Sequence, residues 1–325
     1  MYLRAILIGD AVPHTDFDAT VHSLFRSAVN LRLSRGSRLL TLVGSSQADL
    51  PQGIRVDTPE NFSFEVFRSG KQATCRDDLL RFGSLTVDLR SARRWKCDLP
   101  ALQADMTNPA VATAWRCAWQ VLSKRQGCSG FEIIIEDLIF SDNVVRLGML
   151  GKVEAAIRAL VDSTRHYGLT STGAVGTLIG LGAGLTPSGD DLLVGYLAGL
   201  RCTVQSRSER VQFISDLGEE VLRLSSHTSG MSHTYLYHAT RGQVSSLLVA
   251  LAGAICQGED PEHLTDIAEA AMRVGHTSGM AAVAGLLLGL AVWDGAHLLG
   301  DTIKMGSQIS PLKTALETPA TYKNL

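Results

Sequence analysis

Residues 280–293 form an apolar run of 14 residues when glycine is counted as apolar. A bilayer-spanning helix needs about 20 residues, so this run predicts a shorter helix buried on all sides within a protein. Such a helix requires other helices around it. Residues 192–202, 209–224, 231–240, 244–256 and 261–274 read as those neighbours, with glycine-containing turns between most of them. Residues 153–167 form an amphipathic stretch that stops at Gly168. Asn108-Pro109 opens a helix running to Lys124, with proline near its first turn.

The first hundred residues follow a different period. Segments 53–57, 62–67 and 85–89 alternate apolar and polar residues, and Leu39-Leu-Thr-Leu-Val43 is β-rich. Turn signals separate them at short spacing, which predicts an antiparallel barrel or sandwich. Residues 21–29 are the exception. Val21, Leu24, Phe25 and Ala28 fall on one helical face, and Asn30 then reads as that helix's C-cap, or as an interface or substrate contact. Segment 131–135 reads as a short strand or buried connector. The expected fold is α+β: a β-rich N-terminal domain over residues 1–107, then a mainly α-helical domain over 108–325 ending in a loose tail of about twenty residues.

With 325 residues, 45% hydrophobic and 19% charged, the chain has ample material for a core, and disorder is not expected. A net charge of −2 with scattered basic residues argues against a nucleic-acid partner. The six cysteines form no C-x-x-C pair and no zinc spacing. The N-terminus lacks the basic and long apolar regions of a signal peptide. These features predict a soluble, reduced, cytoplasmic protein.

The chemistry concentrates in Gly180-Leu-Gly-Ala-Gly-Leu-Thr-Pro-Ser-Gly-Asp-Asp191, which heads an apolar run. No Gly-Lys-Ser/Thr follows, so it is no Walker loop. The glycine spacing also differs from the dinucleotide fingerprint. Ser188 stands at an expected helix N-cap, with Asp191 completing a Ser-x-x-Asp capping box. Capping accounts for Ser188 and one aspartate. It accounts for neither the glycines Gly182 and Gly184 nor Thr186.

The same grammar returns in His227-Thr-Ser-Gly-Met231 and His276-Thr-Ser-Gly-Met280, identical pentapeptides 49 residues apart (276 − 227). Ser229 and Ser278 would cap, and Gly230 and Gly279 would start, two further helices. Three helix openings led by Gly189, Gly230 and Gly279 would offer N–H groups to one anion. Two carboxylates beside an anion need compensation. Mg²⁺ held by Asp190 and Asp191, an imidazolium from His227 or His276, or a substrate NH₂ bound by a carboxylate would each supply it. A Ser188–His–Asp triad is formally available, but no Gly-x-Ser-x-Gly elbow supports it. His233 and His238 are spaced too far apart to share one helix face as a metal pair.

The run Gly180-x-Gly-x-Gly-Leu-Thr-Pro-Ser-Gly-Asp-Asp-x-Leu-x-Gly, followed by Val274-Gly-His-Thr-Ser-Gly, closely resembles the AllH-type subunit of bacterial oxamate carbamoyltransferase, which acts in allantoin and purine breakdown. The resemblance extends to Ser23-x-Phe25-x-x-Ala28-Val-Asn30-Leu. It implies transfer of a carbamoyl group, with oxalurate and phosphate giving oxamate and carbamoyl phosphate. It also implies other protein subunits, or further copies of the chain, as partners. On this resemblance Gly182, Gly184, Thr186, Ser188, Gly189, Ser229, Gly230, Thr277, Ser278, Gly279 and Asn30 would bind substrate or phosphate. Asp190 or Asp191 would orient the amide or hold Mg²⁺, and His276, with His227, would serve as general acid/base or oxyanion donor. A non-catalytic binding or assembly subunit, and a metal-assisted amidohydrolase of ureides, are the alternatives.

Overall fold

The computed structural model describes residues 1–36, 38–129, 149–168, 172–275 and 277–295. The expected segment at 131–135, the C-terminal tail and His276 lie outside the described residues.

The N-terminal part is a closed barrel. Its strands are β1 (Tyr2–Gly9), β2 (Phe17–Leu24), β3 (Ala28–Leu33), β4 (Leu39–Val43), β5 (Gly53–Val56), β6 (Gln72–Arg76), β7 (Leu79–Phe82) and β8 (Leu85–Asp88). They pair in the order β5-β4-β3-β2-β6-β7-β8-β1, and β1 closes the ring on β5. A ninth strand, β9 (Arg93–Trp95), lies parallel to the end of β1. Closure leaves no free edge around the eight-strand ring. Alternate residues such as Leu3, Ala5, Ala19, Val21, Val29, Leu31, Leu42 and Ile54 fill the interior. The fold is thus α+β with a barrel, one of the two β architectures expected, but the ring is mixed rather than antiparallel throughout: β1 pairs parallel with β8 and β4 parallel with β5.

Two local expectations fail here. Residues 21–29 are not a helix: they span the end of β2, a turn closed by the Phe25 N–H donating to the Ala28 carbonyl at 2.8 Å, and the start of β3. Val21 and Val29 are β-branched and fully buried in the barrel, and that burial outweighs a helical pattern of only four positions. Asn30 therefore caps nothing; it sits within β3, facing Thr41 of β4. Likewise Phe62 to Phe67 do not form a strand. Phe64–Val66 make a 3₁₀ turn opened by Ser63, and Phe64 plugs the barrel.

The helical part comprises, among the described residues, α1 (Pro109–Ser129), α2 (Met149–Arg165), α3 (Thr172–Leu178), α4 (Ser188–Cys202), α5 (Ser208–Leu224), α6 (Gly230–Ala239), α7 (Ser246–Gln257), α8 (Pro261–Met272) and α9 (Ser278–Ala291). No helix among the described residues is long and apolar enough to cross a membrane. Residues from Cys97 onward already join the helical core.

The centre of the bundle is α4 against α9, and both are apolar on almost every side. They touch backbone to backbone through Gly195 and Gly199 on one helix and Gly285 and Gly289 on the other. A Cβ on Gly195 would lie 1.8 Å from the Ala282 carbonyl oxygen, and one on Gly285 would lie 2.0 Å from that of Leu192. Such an approach is open only to glycine, and it brings the N-terminal ends of α4 and α9 side by side.

The barrel docks on the bundle near the start of α7. The Asp49 N–H donates to Ser246 Oγ at 2.9 Å, and the Ser246 N–H returns to the Asp49 carbonyl at 2.9 Å. This reciprocal pair lies just before the Leu50-Pro51-Gln52 stretch that reaches the candidate site.

Candidate functional site

The glycine loop folds back over the first turn of α4. Gly182 has φ +115°, and a Cβ there would lie 2.8 Å from the Ser188 nitrogen. Only glycine tolerates both demands. Gly184, at φ +95°, is exposed and has nothing close to it. The Gly189 N–H donates to the Leu181 carbonyl and the Gly279 N–H to the Val274 carbonyl, both at 2.9 Å. Two of the three glycine N–H groups expected to cradle an anion are therefore spent within the fold. Gly230 is exposed at the start of α6.

Capping also differs from expectation. Pro187 is the N-cap of α4, and Ser188 is its first helical residue, making no cap bond. Proline sets the cap backbone, and Ser188 Oγ instead pairs with Thr277 Oγ1 at 3.2 Å. Thr277 occupies the N-cap of α9, with Ser278 inside the helix. Ser229 does cap α6, accepting the Ser232 N–H at 3.1 Å, and its hydroxyl donates to the Leu185 carbonyl.

The three polar openings nevertheless converge. Thr186 Oγ1 and Ser278 Oγ are 2.9 Å apart. With Ser188–Thr277, Ser229–Leu185 and Thr228–Asp190, this contact knits the loop, the approach to α6 and the head of α9 into one hydroxyl-rich cluster. His227 stands on an exposed 3₁₀ turn at the edge of this cluster and lines neither of the cavities described below.

The adjacent carboxylates take different environments. Asp190 is 1% exposed. Its Oδ1 accepts the Gly180 N–H at 2.9 Å, and its Oδ2 accepts the Thr228 hydroxyl at 2.5 Å. Asp191 faces a cavity, and its Oδ2 is buried with no hydrogen-bond partner among the described residues. Burial is the main force raising its pKa to about 7; the Asp190 charge adds to this, while the Ser278 and Thr186 hydroxyls oppose it. No group of three or more His, Cys, Asp or Glu able to hold a metal occurs among the described residues. An Asp190–Asp191 Mg²⁺ site has no third such ligand there.

The inner cavity has a volume of about 190 Å³ and lies between barrel and bundle. The barrel side contributes Leu50, Pro51 and Gln52. The bundle contributes Thr186, Asp191, Tyr235, His238, Gln243 and Ser278 among others. His238 is buried, its Nδ1 lies 3.0 Å from Gln243 Oε1, and burial lowers its basicity. The Tyr235 hydroxyl is held well above its usual acidity range by burial and by the Asp191 charge. An outer cleft of about 470 Å³ shares Leu50, Thr186, Tyr235, Val274 and Gly275 with the inner cavity. Asn30 and Thr41 line it, with Arg273 at its margin. Asn30 is committed within the barrel, donating to Ser23 Oγ at 2.9 Å and accepting from Thr41 Oγ1 at 3.0 Å.

Gln52, Tyr235 and His238 were missed as site residues. Gln52 lies in a Pro-Gln-Gly turn signal, and nothing local marks it. A polar His238 inside a buried helix was the only sequence cue for the α6 face.

No solved structure matches the chain. Residues 4–94 match the N-terminal domain of the AllH family, and residues 178–290 match the family described as oxamate carbamoyltransferase subunit AllH. The two matches together span more than half of the chain, covering the barrel and the α4–α9 core that carries the hydroxyl cluster; the chain belongs to the AllH family.

Proposed function

We propose that the chain is the subunit of a carbamoyltransferase complex that holds an oxamate- or oxalurate-like amide beside carbamoyl phosphate or phosphate, in cytoplasmic purine (allantoin) breakdown. The observation that carries this reading is the unpaired Asp191 Oδ2 in the inner cavity beside the Thr186 and Ser278 hydroxyls. A buried carboxylate oxygen without a partner costs stability, and a ligand N–H would satisfy it. The family description, a subunit of an oxamate carbamoyltransferase, supports the same substrate class and the presence of partner subunits.

In the direction that consumes oxalurate, a phosphate oxygen attacks the ureido carbonyl carbon. The bond from that carbon to the oxamate nitrogen then breaks, and the departing nitrogen takes a proton. A carboxyl that titrates near 7 is suited to exchange that proton. The Thr186 and Ser278 hydroxyls would orient the amide, and the phosphate would sit toward the outer cleft, whose lining includes Arg273, itself paired with Glu269 at 2.8 Å.

The test is a thermal-shift series with oxamate, carbamoyl phosphate and Mg²⁺, alone and combined, on wild type and Asp191→Ala. Stabilisation by oxamate or carbamoyl phosphate that disappears in Asp191→Ala is the expected result. No response to either ligand in the wild type overturns the reading. Turnover by the isolated chain, compared with the complex, separates a catalytic subunit from a binding one.

A further inference from the structure

We infer that Gln52, supplied by the barrel, reads the primary amide of the ligand in the inner cavity. The inference rests on the cavity being a ligand site, and it adds a specificity residue from the other half of the molecule.

Gln52 is 1% exposed, and both its Nε2 and its Oε1 lack a hydrogen-bond partner among the described residues. Its main chain is held firmly. The Thr41 N–H donates to the Gln52 carbonyl at 3.1 Å, the Gly53 N–H to the Leu50 carbonyl at 2.9 Å, and the Ala11 N–H to the Pro51 carbonyl at 2.9 Å. The side chain is therefore carried by rigid barrel backbone and cannot drift to find partners. Leaving a buried amide unpaired is unfavourable, whereas an apolar side chain of the same shape is nearly neutral or stabilising. Stability alone gives no reason for glutamine at this position.

The unpaired groups also have a definite chemistry. Gln52 Nε2 carries N–H donors, while Gln52 Oε1 and an ionised Asp191 Oδ2 are acceptors. A primary amide or carbamoyl group, H₂N–C=O, presents both donors and an acceptor, and so can answer both kinds of group in that set. A carboxylate or phosphate presents acceptors only. It would leave Oε1 unmatched and would face the Asp191 charge in a cavity with no Lys or Arg among the described residues of its lining. The cavity thus favours the amide end of a ligand and directs an anionic end elsewhere, toward the outer cleft.

The experiment measures binding by calorimetry on the full chain, comparing oxamate with oxalate and acetamide with acetate, for wild type, Gln52→Met and Gln52→Glu. Wild type is expected to prefer each amide over its acid by about tenfold or more. Gln52→Met is expected to weaken oxamate and acetamide binding about tenfold while the protein stays folded, the residual discrimination against the acids coming from the Asp191 charge. Gln52→Glu, which keeps the size and loses the donor, serves should the methionine disturb the fold, and it is expected to weaken amide binding likewise. Amide affinity undiminished in a folded variant, or no amide binding by the wild type, overturns the inference. Oxamate bound equally well by wild type and folded variants removes the role of Gln52 and leaves the transferase reading intact. Acetamide bound in a Gln52-dependent manner, with no response to oxamate or carbamoyl phosphate, has the opposite meaning: the amide pocket stands and the transferase reading falls.

Discussion

Thr228 donates its hydroxyl to Asp190 Oδ2 at 2.5 Å, tying the approach to α6 onto the first turn of α4. The other oxygen of Asp190 holds the Gly180 N–H. Asp190→Ala strands both donors, and burial makes that costly: a loss of about 2–3 kcal/mol is expected. Asp190→Asn retains an acceptor and should lose less. Chemical denaturation of the two variants checks the order.

Asp191 predicts a pH dependence. Its folded acidity sits near 7 and its ordinary value is 3.8, so the folded state holds a proton that the unfolded chain releases. Stability from this group is complete below about pH 4, falls as pH rises toward 7, and is flat above. The difference is worth at most about 4 kcal/mol. Asp191→Asn should flatten the slope between pH 4 and 7 in urea-unfolding curves and leave the variant more stable than wild type at pH 8. An unchanged slope would show that another group sets it.

The α4–α9 contact predicts a sharp size limit. Gly195→Ala or Gly285→Ala places a methyl group about 2 Å from a backbone oxygen, and the helices must separate to admit it. A loss of about 3 kcal/mol or more, or poor soluble yield, is expected. Gly173→Ala at the exposed start of α3 meets nothing within 4 Å and should be neutral or stabilising by up to about 1 kcal/mol. Thermal melts of the set decide this.

Ser229 is both a cap and a clasp on the glycine loop. Ser229→Ala should cost about 1 kcal/mol through the lost cap and should also loosen the loop near Thr186. Faster amide exchange at residues 182–186 than in a cap-only variant such as Ser245→Ala would confirm the second effect.

Much of the fold was legible because it follows from local periods. The all-apolar 280–293 run becomes α9 within two residues at either end, and the five helices before it, α4 to α8, fall within four residues of their expected bounds. The segment 21–29 was misread because its apolar spacing fits both periods, and only the barrel interior chooses between them. The site was legible in outline: the glycine loop and both His-Thr-Ser-Gly-Met segments mark where polar groups gather. Their division of labour was not. Ser188 lost its cap to Pro187, and the N–H groups of Gly189 and Gly279 went to nearby carbonyls.

The sequence by itself determined a barrel-forming half, a helical half and a set of polar helix openings, because periodicity, glycine and capping chemistry act over a few residues. Tertiary structure decided which of two neighbouring aspartates faces the cavity and which is consumed in holding the loop. It also brought Gln52 from the barrel into the lining of the same cavity as Asp191 and Tyr235 of the bundle. Those outcomes depend on how closely α4 and α9 approach and on where the barrel docks, and both are set by packing between residues far apart in the chain.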